Sequence, residues 1–448
     1  MERKDYLLGL VEKHRDLIFE AEKFIWEHPE TGYKEWTAHK YLADKFKEFG
    51  YELVEAGDIP GFYTDLDTGK TGPTLLILGE LDALTCSGHP EAVDGAAHAC
   101  GHCCQAAGLL GLAAALKEEG ALEGLCGKIR LMAVPAEELI ETDFRQTLKD
   151  KGTIRLFSGK TEFMRRGYMK DCDISFMLHT TNGEFDFRCA GGSNGLISKE
   201  VIYHGRASHA AGSPDKGINA LYAANLGLSA VNAVRETFIE EKRQRVQGII
   251  TTGGFATNVI PDYIRIEMMC RANSWNNILE LSEKVDKALE GGALALGCTI
   301  DINNGAGYAP LHNCKELADV FEECALNITT PDKVSVDFTA WSGGSTDMGD
   351  LSEVMPSIHP YAGGAVGTGH GTDYFISDKE KACVNPAKVE ILMIDALLKD
   401  GAEKAKSIIE NFTPNFKTQD DYVQFLEDLV KNKKPIVYKE DGSVEIKA

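Results

Sequence analysis

The chain has 448 residues, of which 26% are charged and 43% hydrophobic, the composition of a soluble folded protein long enough for two domains. Lys and Arg number 47 against 69 Asp and Glu, a formal net charge of −22. So acidic a chain is a poor partner for phosphate backbones and anionic membrane surfaces, which argues against nucleic-acid and membrane binding.

The first sixteen residues, MERKDYLLGLVEKHRD, are charged throughout and read as no signal peptide. No window offers about 20 consecutive apolar residues for a spanning helix. The expected compartment is the cytoplasm, where twelve cysteines stay reduced. Apolar residues at helical spacing predict one amphipathic helix over 3–27, broken by HPETG at 28–32. A second helix is predicted near 35–49, ending at Gly50. Strands follow at 60–66 and 74–79, then a small-residue helix at about 104–118. The strand KIRLMAV at 128–134 runs into PAEE. Residues 139–158 read as an irregular insertion. A short helix near 160–168 precedes the strand DISFMLH at 173–179. This alternation predicts an α/β fold, with a mostly parallel sheet and helices on both faces.

Near residue 195 the texture changes. ISKEVIYH at 197–204 alternates apolar and polar, as an edge-exposed antiparallel strand does. A helix at about 216–240, strands at 245–253 and 262–271, a helix at about 276–296 and a strand at 298–304 complete the order β-α-β-β-α-β, that of a ferredoxin-like unit. The predicted organisation is a discontinuous catalytic domain, 1–194 and 310–448, interrupted by a smaller α/β domain at 195–309. The tail beyond 412 is charged and weakly periodic.

Several residues could carry chemistry. Glu80 and Asp82 stand just past the end of an apolar strand, where open α/β sheets bind ligands; the plain alternative is a solvated loop. In HACGHCC, Cys100 and His102 supply the thiolate and imidazole that Zn²⁺ favours, and Gly101 permits the bend that lets both reach one ion. A redox or nucleophilic cysteine at Cys103 or Cys104 is the rival reading. Glu137 and Glu138 are adjacent at a strand end, so one can ligate while the other handles a proton. His179 ends an apolar strand, as a ligand or as a satisfied core histidine. His370 lies in the glycine-rich GTGHGTDY, and the amides of WSGGSTDMGD could cradle a carboxylate. His209 and Asn258 fall within the smaller domain. Taken jointly, acid pair, Cys-x-His, Glu-Glu and loop-borne histidines suit two close divalent metals sharing a water, with an adjacent Glu as base.

In order along residues 12–400, HPETGYKE, GELDAL, HACGH, PAEE, MLH, GRASHAAGSPDKGINAL, TTGGFATNVIPD, GSTDMGD and GTGH resemble the dinuclear-metal peptidases and amidohydrolases related to aminoacylase and carboxypeptidase G. The closer likeness is to the amidohydrolase branch of hippurate, auxin-conjugate and aminobenzoyl-glutamate hydrolases. The resemblance implies that Cys100, His102, Glu138, His179 and His370 ligate two divalent ions per chain, with Zn most in keeping with a thiolate and Mn or Co as alternatives. It implies Glu137 as general base, Asp82 orienting a ligand, and His209 stabilising the oxyanion across a homodimer. It implies Asn258 and the backbone at Gly343 and Gly344 as contacts for a substrate carboxylate, and the smaller domain as lid and dimerisation surface. The implied reaction is metal-dependent hydrolysis of a small N-acyl or N-aroyl amino acid. The alternatives are a dipeptidase or aminopeptidase on the same fold, and a catalytically silent metal-binding relative. The chain departs from the branch at Cys103, where Asp or Asn is usual, which leaves Cys103 as an extra ligand to consider. It departs also at Glu80, in the long 139–158 segment and in the tail.

Overall fold

The computed structural model describes residues 2–441 and 443–446. The chain forms two compact units. The first comprises residues 1–192, 311–342 and 346–423, and the second comprises 193–310, 343–345 and 424–448.

The first unit is built on a six-stranded sheet. Its central strand, Thr74–Glu80, is buried at every position, the mark of a strand covered on both faces. Lys128–Val134 and Ile174–Phe176 flank it in parallel, and Ser357–Ile358 extends the parallel run. Phe62–Asp67 and Val54–Glu55 add an antiparallel edge. The helix His102–Leu116 is buried on all sides, which its Ala and Gly content permits by letting neighbours approach closely. A smaller sheet joins Leu311–His312, Phe187–Ser193, Tyr361–Ala362 and His179–Thr180.

This architecture is the predicted α/β class, with local differences. The helix expected over 3–27 is two, Arg3–Lys13 and Arg15–Trp26. His14 between them leaves helical geometry (φ −102°, ψ 14°) and its ring pairs with Glu118 at 2.9 Å. Residues 139–158 are not irregular throughout, because Thr142–Asp150 is a helix whose one buried residue is Arg145. A helix that buries a single polar side chain has no apolar stripe to betray it.

In the second unit the strands Gly195–His204, Arg245–Thr252, Tyr263–Ala272 and Thr299–Tyr308 and the helices Ala220–Val234 and Trp275–Leu296 follow the predicted β-α-β-β-α-β order. Gly195–His204, expected at an edge, is interior: it pairs with Tyr263–Ala272 on one side and Thr299–Tyr308 on the other. Its alternation comes from burial of one sheet face, not from an edge. The tail also differs from expectation. From Gln424 it groups with the second unit, where Lys431–Lys433 pairs antiparallel with Thr299–Tyr308. Such a strand is held by backbone bonds and by Lys433, 2.8 Å from Asp286, so its sequence carries no apolar signal. Among the described residues no helix is long and apolar enough to cross a membrane. All twelve cysteines are free thiols.

Candidate metal centre

The parallel strands of the first unit end on one side, and their C-terminal ends carry the polar residues. Glu80 closes Thr74–Glu80, Glu137 and Glu138 follow Lys128–Val134, His179 follows Ile174–Phe176, and His359 follows Ser357–Ile358. Two backbone features shape this edge. Gly101 has φ +96°, and an added Cβ would lie 2.6 Å from the Tyr374 hydroxyl. Only glycine makes the bend between Cys100 and His102 there. Gly159 lies against the PAEE turn so closely that a Cβ would sit 1.7 Å from the Pro135 carbonyl oxygen. Inside that turn Ala136 has φ 58° and His370, in its own loop, has φ 64°. Left-handed non-glycine residues are costly and persist where surrounding contacts enforce them. The Ala136 amide donates to Glu35 at 2.8 Å, and the buried Arg145 guanidinium donates to the carbonyls of Phe157, at 2.6 Å, and of Glu138. The His370 amide donates to the Ala99 carbonyl at 2.8 Å, which ties its loop to HACGH.

The imidazoles are oriented through their inner nitrogens. His102 Nδ1 lies 2.9 Å from the Asp82 carbonyl oxygen and 3.1 Å from Asp82 Oδ1, while Asp82 Oδ2 accepts the Glu138 amide at 2.8 Å. His179 Nδ1 is 2.7 Å from the Thr180 carbonyl oxygen. In both, the bond to a carbonyl fixes the Nδ1–H tautomer and leaves Nε2 as the donor to a metal. His179 Nε2 faces Cys100 Sγ at 3.4 Å, and His370 Nε2 lies 3.1 Å from Glu138 Oε1.

Ligand atoms of Cys100, His102 and His179 lie within 4.8 Å of one another, as do those of Cys100, Glu138 and His370, and of His102, Glu137 and Glu138. His102 Nε2 and Glu80 Oε2, 3.2 Å apart, and Glu138 Oε1, beside His370 Nε2, are buried with these contacts to one another and no bond of hydrogen-bond geometry. Buried polar atoms are rarely left so, and an ion among them would satisfy them. The donors are one thiolate, three imidazoles and carboxylates, a set suited to divalent zinc-like ions. Two of the clusters share Cys100, which fits a pair of ions better than one.

Charge follows the same layout. Burial opposes the Glu80 carboxylate, but the Lys160 ammonium and the nearby imidazoles outweigh it and hold its pKa below the usual range. Burial, with the Glu80, Glu138 and Asp347 carboxylates around it, raises Glu137 well above that range. Bound cations would bring it back down. Burial and the neighbouring His102 lower His179 to about 3, the neutral state a ligand needs.

Three participants escaped the sequence reading. Lys160 is fully buried and forms ion pairs with Glu80 and Asp347. Asp347, within the glycine-rich stretch, also accepts from the Ser158 hydroxyl at 2.5 Å. His359 is buried, with Nδ1 2.9 Å from the Met177 carbonyl oxygen. Cys103 does not join these clusters; it lies with Cys104 and Glu22 instead. His209, Asn258, Gly343 and Gly344 belong to the second unit. There the Asn258 carbonyl accepts the Ala210 amide at 2.9 Å. His209 Nδ1 accepts the amides of Ala211 and Gly212 at 3.2 and 3.0 Å, so its Nε2 carries the proton.

Residues 76–395 match the peptidase family M20/M25/M40. The chain belongs to that family. It is therefore a hydrolase acting on amide bonds, and the family and the donor clusters together support two metal ions. Among relatives, the human Xaa-Arg dipeptidase is 32% identical over 360 residues, covering 75% of this chain and 74% of the relative. The hippurate hydrolase of Campylobacter jejuni is 29% identical over 332 residues, covering 72% of this chain and 82% of the relative. A dinuclear metal binding peptidase of the M20 family from Bacillus subtilis shares the fold, with a TM-score of 0.65 at 19% identity over 86% of this chain and 99% of that one.

Proposed function

We propose that this M20/M25/M40 member hydrolyses the amide bond of a small N-acyl or N-aroyl amino acid, with Glu137 as general base. The observation that carries the reading is the convergence of donor atoms of Cys100, His102, His179, Glu138 and His370 within 4.8 Å in overlapping groups, with Glu137 among them. Cys100, His102, Glu138, His179 and His370 would hold two divalent ions, zinc in first place because of the thiolate, manganese or cobalt otherwise. When bound, the ions supply Lewis acidity that makes a water nucleophilic near neutral pH. Glu137 takes that water's proton and delivers it to the leaving nitrogen, so one carboxyl serves as base and then acid. Asp82 fixes the His102 tautomer. His209, with Nε2–H outward, donates to the developing oxyanion, and Asn258 with the amides at Gly343 and Gly344 receives the substrate carboxylate.

The acyl-amino-acid class is supported by the relative named for hippurate, an N-aroyl amino acid. A second reading, a dipeptidase, is favoured by the relative named for Xaa-Arg dipeptides. The two differ in the amino group, which is acylated in one class and free in the other. The protein is also proposed to work as a homodimer in the cytoplasm. A dimer is supported by the outer strand Arg245–Thr252, whose Ile249 is 66% exposed, and by Phe255 at 89% and Tyr222 at 64%. A reducing compartment suits twelve unpaired thiols.

A panel of hippurate, acetyl-amino acids, aminobenzoyl-glutamate and dipeptides, including Xaa-Arg, tests the assignment. Chelator-sensitive cleavage is expected to favour the N-acylated compounds in kcat/KM. Faster cleavage of free-amine dipeptides would replace this reading with the second.

A further inference from the structure

The smaller sheet of the first unit sets a row of three side chains beside the candidate centre. In its register Tyr361 stands opposite His179 on one neighbouring strand and opposite Arg188 on the other. Residues directly opposite share a face, so His179, Tyr361 and Arg188 lie side by side. The next row, Thr180, Ala362 and Phe187, takes the other face and is buried. The row of His179 is the open one, half-buried at His179 and Tyr361 and exposed at Arg188. The rings of His179 and Tyr361 are 5.5 Å apart, and the Arg188 guanidinium carbon stands 5.4 Å from the centre of the Tyr361 ring. Contact is thus continuous from a proposed metal ligand to a cation.

Partners and place set Arg188 apart from an ordinary surface arginine. In the same unit Arg3, Arg15, Arg130, Arg165 and Arg166 each pair with a carboxylate, as a chain with 69 acids to 47 bases makes easy. Among the described residues the Arg188 guanidinium has the Tyr361 ring and no hydrogen bond or ion pair. Its planar fork of donors is left for a ligand, and the aromatic face beneath it narrows the positions it can take. The row spans two inter-strand steps, about 10 Å between Cα atoms, and the guanidinium lies over Tyr361, on the side of His179. The Tyr361 phenol feels both ends of the row. Burial raises it to about 12, with Cys100, Glu137 and Glu80 pushing the same way and Arg188 opposing them. Tyr361 therefore lies between the donors of the centre and the cation.

We propose that Arg188, steadied by Tyr361, receives a carboxylate that the substrate carries in addition to its α-carboxylate, so that the enzyme selects N-acyl amino acids with two acid groups. This rests on the amidohydrolase reading above and deepens it. A guanidinium meets a carboxylate through two parallel hydrogen bonds, which supply direction as well as energy. The second carboxylate has two chemical sources: the side chain of an aspartyl or glutamyl amino acid, or the far end of a dicarboxylic acyl group such as succinyl. A cationic side chain at the same place meets like charge and is rejected. Tyr361 acts here as a positioning residue, through its ring.

The test compares acids with their neutral isosteres. kcat/KM is measured for N-acetylglutamate against N-acetylglutamine, and for an N-succinyl amino acid against its succinamoyl counterpart, in the wild type and in Arg188→Gln. The wild type is expected to prefer the acid of one pair by about tenfold or more, and that pair tells which end of the substrate carries the group. Arg188→Gln is expected to remove the preference, chiefly by raising KM for the acid. Arg188→Lys should restore part of it, and Tyr361→Phe, which keeps the ring, should retain it. Metal content by mass spectrometry is expected to be the same in Arg188→Gln as in the wild type. No preference in either pair, a preference that survives Arg188→Gln, or a loss that comes with loss of metal through His179 overturns the proposal. Calorimetric titration of Glu137→Gln with N-acetylglutamate and N-acetylglutamine, with and without Arg188→Gln, makes the same comparison without turnover. If the wild type cleaves no N-acyl compound, the proposed function falls, and the calorimetric ratio still decides for or against Arg188.

Discussion

Lys160 is the residue on which the charge balance of the centre turns. Its ammonium is fully buried between Glu80 and Asp347, and the carboxylate of Glu137 lies within 4.8 Å of both acids. Without a cation, three carboxylates so close and so dry could not all ionise. Removing one partner of a buried ion pair typically costs about 3–5 kcal/mol, because the other charge is left uncompensated. Lys160→Met is therefore expected to lose about that much stability in urea unfolding of the metal-free protein, and Glu80→Gln in the same chain should recover part of it. A loss below about 1 kcal/mol would mean that the triad is held by packing alone. Nothing in SGKTEF distinguishes this lysine from a solvated one, so its role was illegible in the sequence. Cys100, His102, Glu137, Glu138, His179 and His370 were legible for the opposite reason. Their side chains are of metal-donor or proton-carrying types, the structure brings them together, and they stand at strand ends or beside glycine, where packing alone would rarely put them.

At the scale of elements, the strands that position the centre were the easiest to read. LLILGE and KIRLMAV are apolar and run to polar residues at one end, so periodicity gives the strand and its direction gives the site. The elements that escaped lack apolar periodicity. Thr142–Asp150 buries only Arg145, whose guanidinium reaches the carbonyl of Glu138. His359 follows a strand of two residues, too short to register as a pattern. Lys431–Lys433 joins the second unit's sheet through its backbone. The interior position of Gly195–His204 was hidden for a related reason: alternation reports which face is buried and is silent about neighbours in the sheet.

At the scale of the molecule, the two units divide the proposed labour. The first gathers the proposed ligands and Glu137, and the second carries His209, Asn258, Gly343 and Gly344. The sequence placed the smaller domain at 195–309 and the whole of 310–448 in the larger one. The compact units break at 193 and 310, and the second reclaims the chain from 424, a backbone-mediated return that no side-chain pattern announces. The proposed homodimer makes His209 a residue that can serve a partner's centre. Mixing His209→Ala with Glu137→Gln, each inactive alone, is expected to return partial activity, since one site of the mixed dimer then has both groups. No return, with exchange of protomers confirmed by native mass spectrometry, would count against donation across the dimer.

In the proposed mechanism Glu137 moves the proton while its neighbours hold the ions. Turnover of Glu137→Gln, measured alongside its metal content by mass spectrometry, separates the two roles. The amide is nearly isosteric and cannot accept the proton, so kcat should fall by about 10²–10⁴-fold while both ions remain bound. Turnover near that of the wild type, at full metal content, would contradict the assignment of Glu137 as base.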